Sequence, residues 1–439
     1  MNRGLSRALA CLLVCLLPWA ALAAPGFSDY ALLRAENQRL AAGLDLWRYE
    51  LISRSDPARR QLLHVLAPKP EDNPRLRFRV VSREGLVKGL QPTSQGMAWL
   101  QQQAPGLRPL AAINGDFFDM RAGGALGLTV DEGRLKQSGE FSQGWSLGFD
   151  AQGRARIGQP RLDMRLSAKR QGQTVVADVP IDALNALRAD IAPGQSTPNN
   201  AYQARMDNHL VLYTSDYYRA TMAPDGGYEL RLDTEDSLRP DAEVQARVSA
   251  VHKSGKVTVA GTAAIPQGMP LGKGHMALSA TGPAAEPLRG LRLGDQVSIR
   301  ADLSPDWSDL PTILGGGRPD GGPLLVKDGH IQPEHPEVDD YQYFYPSAHA
   351  RTAAGIRPDG SFFLLVAEGY QPGIAEGLSV AELAQIMIDL GADIALNLDG
   401  GPSSTLALPT QGGFAAVTSP GRRGETAVGN SLVICEEGP

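Results

Sequence analysis

The stretch HARTAAGIRPDGSFFLLVA, residues 349–367, decides how the chain reads. Two runs of small, branched and aromatic residues flank Arg357-Pro-Asp-Gly360. In that turn proline presets one dihedral and glycine accepts the unusual one that follows. The spacing predicts a hairpin of strands 349–356 and 361–367. With Pro358-Asp359 as the tip, Arg351 faces Val366, and Glu368 sits diagonal to Arg351 on the same face, about 7–8 Å away. Downstream, Ser379-Val-Ala-Glu382 is a capping box. It opens a helix with Val380, Leu383, Ile386, Met387 and Leu390 on one face, stopped by Gly391. A strand over 393–398 then delivers Asp399-Gly400-Gly401 at its C-terminal edge. Strand, turn, strand, helix, strand is a mixed α/β texture.

Upstream of this unit, strands are expected at 44–51, 61–66 and 76–81. A helix is expected over 94–103, capped by Thr93 or Ser94 and ended by Pro105-Gly106. Residues 110–113 form a buried strand stopped by Asn114-Gly115-Asp116, and Tyr30–Leu40 reads as a short surface helix. Between about 155 and 310, alternating runs at 209–214, 228–232, 243–251, 256–259, 276–279 and 296–301 make a β-rich lobe. The expected fold class is therefore α+β (mixed α/β): a central mixed sheet with flanking helices, plus that lobe.

Composition narrows the function. Arg3 and Arg7, the apolar run Ala8–Trp19 and Ala21-Leu22-Ala23-Ala24 have the three parts of a secretory signal peptide over 1–24, so the protein is expected in the periplasm or secreted. The run is too short to span a bilayer, and no later segment is long and apolar enough. After cleavage Cys435 alone remains, which rules out an internal disulfide and a cysteine-based metal site. A net charge of −6 without a basic block gives no support to a nucleic-acid partner. The histidines lack zinc spacing, so no metal is assigned. Asp116, Asp119, Asp339 and Asp340 read as solvated acidic loops before a cation site, and Tyr341, Tyr343, Phe344 and Tyr345 as strand packing or a sugar platform.

Three places put polar groups where the backbone turns. Asn114-Gly115-Asp116 suits a ligand site at a strand end, although Asn-Gly taken alone is a hairpin-turn signal. Arg351 and Glu368 could share a ligand or form a surface ion pair. In Asn397-Leu-Asp-Gly-Gly-Pro-Ser-Ser404, Asn397 and Asp399 share a strand face, and the Gly400-Gly401 turn with Ser403 and Ser404 offers N–H and hydroxyl donors for an anion.

Taken in this order, the segments Ala112-Ile-Asn-Gly-Asp-Phe-Phe118, Gly322-Pro-Leu-Leu-Val-Lys-Asp-Gly329, Arg351-Thr-Ala-Ala-Gly-Ile356 and Asn397–Ser404 resemble the phosphodiester glycosidase family over roughly residues 60–434. Asn185-Ala-Leu-Arg188 and Leu210–Thr214 are similar to its middle segment. The resemblance implies an exported hydrolase that cleaves the glycosidic bond of sugar-1-phosphodiesters, GlcNAc-like or drawn from envelope polysaccharide, without a cofactor. It divides the chain into an extension at 25–59, a first domain part at 60–154, an inserted lobe at 155–310 and a C-terminal catalytic part at 311–436. Asp399 and Glu368 are then the carboxylate pair, and Arg351 holds the phosphate with Gly400, Gly401, Ser403 and Ser404. Asn114, Asp116 and Asn397 bind the sugar. The chain departs from the family pattern at Glu368-Gly369-Tyr370, where Asp-Gly-Arg is usual, and at Glu425-Thr426, where Glu-Arg is usual. A non-catalytic envelope-polysaccharide binder and a metal-dependent phosphodiesterase are the competing readings.

Overall fold

Alternating apolar residues, rather than helix formers, set the architecture. The computed structural model describes residues 25–120, 122–139, 144–170, 174–187, 208–223, 227–253, 268–316, 324–332, 345–418 and 424–438. The signal segment 1–24, Arg188, the run 256–259, Gly322-Pro323, Asp339, Asp340, Tyr341, Tyr343, Phe344, Arg422 and Arg423 lie outside them.

The expected α+β class, with helices flanking a central mixed sheet, is overturned. Strands dominate, and the α-helices among the described residues are three short ones, Thr93–Gln103, Glu286–Arg289 and Val380–Asp389. The central sheet has eight strands in the order Tyr30–Ala41, Leu44–Ser53, Arg60–Pro68, Phe362–Ala367, Arg351–Ile356, Ile394–Asn397, Leu324–Lys327 and His330–Ile331. Every pairing in it is antiparallel. The strand–helix–strand pattern misleads because the helix Val380–Asp389 carries the chain across Arg351–Ile356. The two strands it connects are thus separated by an antiparallel neighbour. The run Tyr30–Leu40 is also a strand, not a helix. Its full-length pairing with Leu44–Ser53 outweighs the helix preference of its Ala, Arg, Glu and Gln residues, and its charges suit an exposed sheet edge.

Sheet packs on sheet. A second sheet, ordered Gly413–Ala416, Leu406–Thr410, Leu107–Asn114, Asn430–Glu437 and Leu76–Ser82, faces the first. Leu46, Leu66, Val366 and Leu396 of the first meet Val80, Ile113, Leu406 and Leu432 of the second in one core, each contributing about 1.5–3 kcal/mol by burial. The helix Val380–Asp389, with the expected Ser379/Glu382 capping box, packs against Val65, Ala353 and Leu365 on the far face of the first sheet. A third sheet, eight-stranded, occupies 161–304 and includes the expected strands near 209–214, 228–232, 243–251, 276–279 and 296–301. Among the described residues no helix is long and apolar enough to cross a membrane.

The helix Thr93–Gln103 is capped from a distance. Its N-cap residue is Pro92, which offers no side-chain bond, and Glu425 accepts instead from Ser94 N (2.8 Å) and Ser94 Oγ. A carboxylate there satisfies an otherwise unpaired N–H and meets the positive end of the helix dipole. Glu425→Gln is expected to cost about 1 kcal/mol, read as a lower urea midpoint with an unchanged slope.

Candidate active site

The two facing sheets are joined at one edge by Asn114, the last residue of strand Leu107–Asn114. Its Nδ2 donates to the Asp399 carbonyl at 2.6 Å. Its Oδ1 accepts from Thr352 Oγ1 at 2.7 Å and from Thr405 N at 3.0 Å. Asp399 N in turn donates to the Gly115 carbonyl at 3.1 Å. The Asn-Gly pair is therefore not a hairpin turn. Glycine is needed at 115 because a Cβ there would lie 2.3 Å from Asn430 Oδ1 and 2.9 Å from Leu314. Asn114 fixes the Asp399 loop, and both ends of its amide are already committed.

This stitching brings two carboxylates together. Asp116 is fully buried. Its Oδ2 accepts from Gly127 N, and its own N–H donates to Asn430 Oδ1 at 2.9 Å. Burial pushes its pKa up to about 7, and the neighbouring Asp399 charge adds to the rise. Asp399 is half-buried, and burial raises it likewise to about 7 against the opposing bonds from Ser403 and Gly400 N. Oδ1 of Asp116, Oδ2 of Asp399, Oγ of Ser404 and Oγ1 of Thr405 are buried with no hydrogen-bond partner. Buried polar atoms of this kind are uncommon in native interiors.

The raised pKa values give a pH signature. An unfolded aspartate titrates near 3.9, so between about pH 4 and 7 the folded chain holds more protons than the unfolded one. Stability from these carboxyls is fully present below about pH 4 and is lost as pH rises through 7. Asp116→Asn removes one titrating group and the like charge beside Asp399. Its melting temperature relative to wild type should rise between pH 5 and 8, and the Asp399 inflection should move to lower pH. Parallel stability curves for the two proteins would contradict the coupling.

The remaining expected site residues divide. In the Gly400–Ser404 turn, Gly400 N donates to Asp399 Oδ1 (2.9 Å), Gly401 N to the Ala350 carbonyl (2.8 Å), Ser403 N to Gly400 O and Ser404 N to Gly401 O. These N–H groups are spent within the turn or on the Ala350 carbonyl, so they do not form the expected anion cradle; the Ser403 hydroxyl stays bonded to Asp399. Arg351 is 1% exposed, with Nε on the Leu378 carbonyl (2.9 Å) and Nη2 on the Ser347 carbonyl (3.0 Å). It braces the backbone under Gly400. Asn397, opposite Ala353, lies on the helix side of the sheet, and its Nδ2 bonds the Leu398 carbonyl.

Glu368 lies elsewhere than the expected hairpin register put it. Arg357 N bonds Ser361 O, so the turn is one residue longer than a two-residue tip and Arg351 pairs with Ala367, not Val366. A one-residue slip reverses every face. Glu368 therefore points away from Arg351, toward the inter-sheet side, where Oε1 meets His64 Nε2 at 2.7 Å and Oε2 accepts from Gln371 Nε2 at 2.8 Å. The carboxylate coupled to Asp399 is Asp116.

Several residues here had no signal in the sequence. Thr352, Thr405 and Asn430 are isolated polar residues in apolar or turn segments. His349 and Tyr370 pair across the hairpin's open end, Nδ1 to OH at 2.9 Å. The Tyr370 hydroxyl lies 3.1 Å from where a Cβ on Gly401 would stand, so Tyr370 occupies the rim of the site where the resemblance leads one to expect arginine. Asn185 and Thr214, from the two middle segments, bond each other (2.8 Å) within the third sheet. Among the described residues no group of three or more His, Cys, Asp or Glu side chains could hold a metal ion.

The chain is similar to known proteins in part of its sequence and in its fold. Residues 241–435 match the model of the phosphodiester glycosidase family, which bears out the resemblance drawn from the motifs and assigns this part of the chain to a glycosidase-type hydrolase domain. The fold is shared with a hypothetical protein from Synechocystis (TM-score 0.67, 19% identity, 93% of this chain and 68% of that one). It is also shared with a Burkholderia pseudomallei K96243 protein named for an expected export (TM-score 0.65, 20% identity, 93% and 97%). Zebrafish N-acetylglucosamine-1-phosphodiester alpha-N-acetylglucosaminidase, in its catalytic domain auto-inhibited by pro-peptide, aligns at a TM-score of 0.44 and 14% identity over 92% of this chain and 88% of that one, too low to carry an argument. No curated protein matches the chain.

Proposed function

We propose that the protein is an exported hydrolase that cleaves the bond between a sugar's anomeric carbon and a phosphate diester. The observation that carries this reading is the coupled Asp116–Asp399 pair at the joined sheet edge, inside the segment pair that the family motifs mark. Glycoside cleavage passes through an oxocarbenium-like transition state, which a carboxylate beside the anomeric carbon stabilises or traps. Asp399, half-exposed, is the group that meets the sugar. Asp116, fully enclosed behind it, holds its charge state and keeps the pair's proton available near neutral pH.

A phosphate monoester leaves readily, so donors around it matter more than a strong general acid. The Ser403 and Ser404 hydroxyls and the rim pair His349–Tyr370 supply them, with Arg351 adding positive charge from behind the turn. The candidate leader at 1–24 supports export. The test is free-sugar release from a panel of sugar-1-phosphodiesters, UDP-GlcNAc among them, by the purified protein. Release of a reducing sugar is the expected result. Release of sugar phosphate with no free sugar would contradict the reading.

A further inference from the structure

One segment of the rim is held more tightly than a surface loop needs. Residues 368–378 follow the strand Phe362–Ala367 and form a strap tied to strand Arg60–Pro68 and to His349. Glu368 N donates to the Leu62 carbonyl and Glu376 N to the Arg60 carbonyl, both at 2.9 Å. Gln61 grips Gly377 with both ends of its amide, Nε2 on the carbonyl at 2.9 Å and Oε1 accepting from the N–H at 3.1 Å. Leu378 and His349 exchange backbone bonds, as do Gln371 and Ala375 within the strap. The buried Glu368 carboxylate ties Gln371 Nε2 (2.8 Å) to His64 Nε2 (2.7 Å).

The bracing converges on Tyr370, which stands between the fixed points Glu368 and Gln371. Its backbone is left-handed (φ 63°), a conformation that is costly for a bulky residue and persists only where the surroundings over-determine it. Gly369 lets the strap press against the neighbouring strand, since a Cβ there would lie 2.5 Å from Ala350 N. The strain delivers an aromatic ring still 43% exposed. Its hydroxyl lies 2.9 Å from His349 Nδ1 and 3.1 Å from where a Cβ on Gly401 would stand, two residues beyond Asp399. A hydroxyl accepts and donates at once, so the bond to His349 is compatible with one to a ligand. Burial, with the Arg351 charge, holds the His349 pKa below its ordinary value.

From this geometry we propose that Tyr370 is a catalytic residue whose hydroxyl donates to the departing phosphate, and that Glu368 is a positioning residue that holds the strap so the phenol stays over Gly401. The assignment rests on the hydrolase reading for the reaction and on the strap for the residues. As the anomeric C–O bond breaks, its electron pair stays on the phosphate oxygen, and the phosphate goes from one negative charge to two. The phenol stabilises the added charge by hydrogen bonding and keeps its own proton. Water supplies the new anomeric hydroxyl, and the proton it releases goes to the aspartate pair. Ser404 Oγ, buried in the same turn with no hydrogen-bond partner among the described residues, is a second donor for the same group.

The experiment is calorimetric titration of the purified protein at neutral pH with glycerol 1-phosphate, which carries the doubly charged phosphate of a product, and with glycerol as the uncharged comparator. Wild type should bind the phosphate and not glycerol. Tyr370→Phe should weaken binding about tenfold or more at an unchanged melting temperature. Glu368→Ala should weaken it as much, and Glu368→Gln, whose amide oxygen still accepts from Gln371, should recover most of the loss. The double variant Glu368→Ala/Tyr370→Phe should be no weaker than Tyr370→Phe alone. If Glu368→Ala melts early, Gln371→Ala removes the same tie at a half-buried residue and takes its place. No phosphate binding by wild type, binding insensitive to Tyr370→Phe, or losses that multiply in the double variant would each overturn the proposal. Turnover is scored separately. Tyr370→Phe should lower kcat about tenfold or more with KM nearly unchanged, and a raised KM at constant kcat would remove Tyr370 from the chemical step. Absence of wild-type turnover alongside Tyr370-dependent phosphate binding would overturn the hydrolase reading and leave the phosphate contact standing.

Discussion

Asp399→Asn should lower turnover of a sugar-1-phosphodiester by about a thousandfold, within the range spanned by loss of a positioned acid–base group, and should leave the fold intact. The carboxylate's Oδ1 accepts from Gly400 N, and Ser403 adds a side-chain bond; an amide keeps the bond from Gly400 N and removes a charge that burial disfavours. Melting temperature at pH 8 should therefore equal or exceed that of wild type. A variant that turns over at the wild-type rate would remove Asp399 from the chemistry. One that unfolds would instead make the residue structural.

Asn114→Ala should behave in the opposite way. Asn114 is fully buried and ties the sheets together through Asp399 O, Thr352 Oγ1 and Thr405 N. Truncation leaves three buried polar groups without that partner, at about 1–3 kcal/mol each. We expect a loss of several kcal/mol in denaturant unfolding, with turnover falling because the Asp399 loop is released. Had Asn114 oriented a sugar hydroxyl, as its place in the motif suggests, the same substitution would raise KM and leave the urea midpoint unchanged. The paired measurement separates the two roles.

Local signals in the sequence were strong where they involved neighbours in the chain. The capping box at Ser379–Glu382, the hairpin around Arg357–Gly360 and the strand leading into Asp399 are all present. What failed depended on partners far away. Tyr30–Ala41 carries helix-forming residues but is captured as a strand by Leu44–Ser53. The central sheet is antiparallel because the helix after Ala367 skips over a neighbouring strand, a choice no local pattern encodes. Glu368 was placed on the wrong face by a single extra turn residue, visible only in the bond from Arg357 N to Ser361 O. Asp116 and Asp399 each stand out in the sequence as polar groups at turns, but their proximity does not, because it arises where two sheets meet.

Site of bond cleavage tests the central claim most directly. Hydrolysis of a responsive sugar-1-phosphodiester in oxygen-18 water should place the label on the anomeric hydroxyl of the released sugar, with unlabelled phosphate, as attack at the anomeric carbon requires. Label in the phosphate and none in the sugar would mean that the P–O bond breaks, and would contradict a glycosidase built on Asp399.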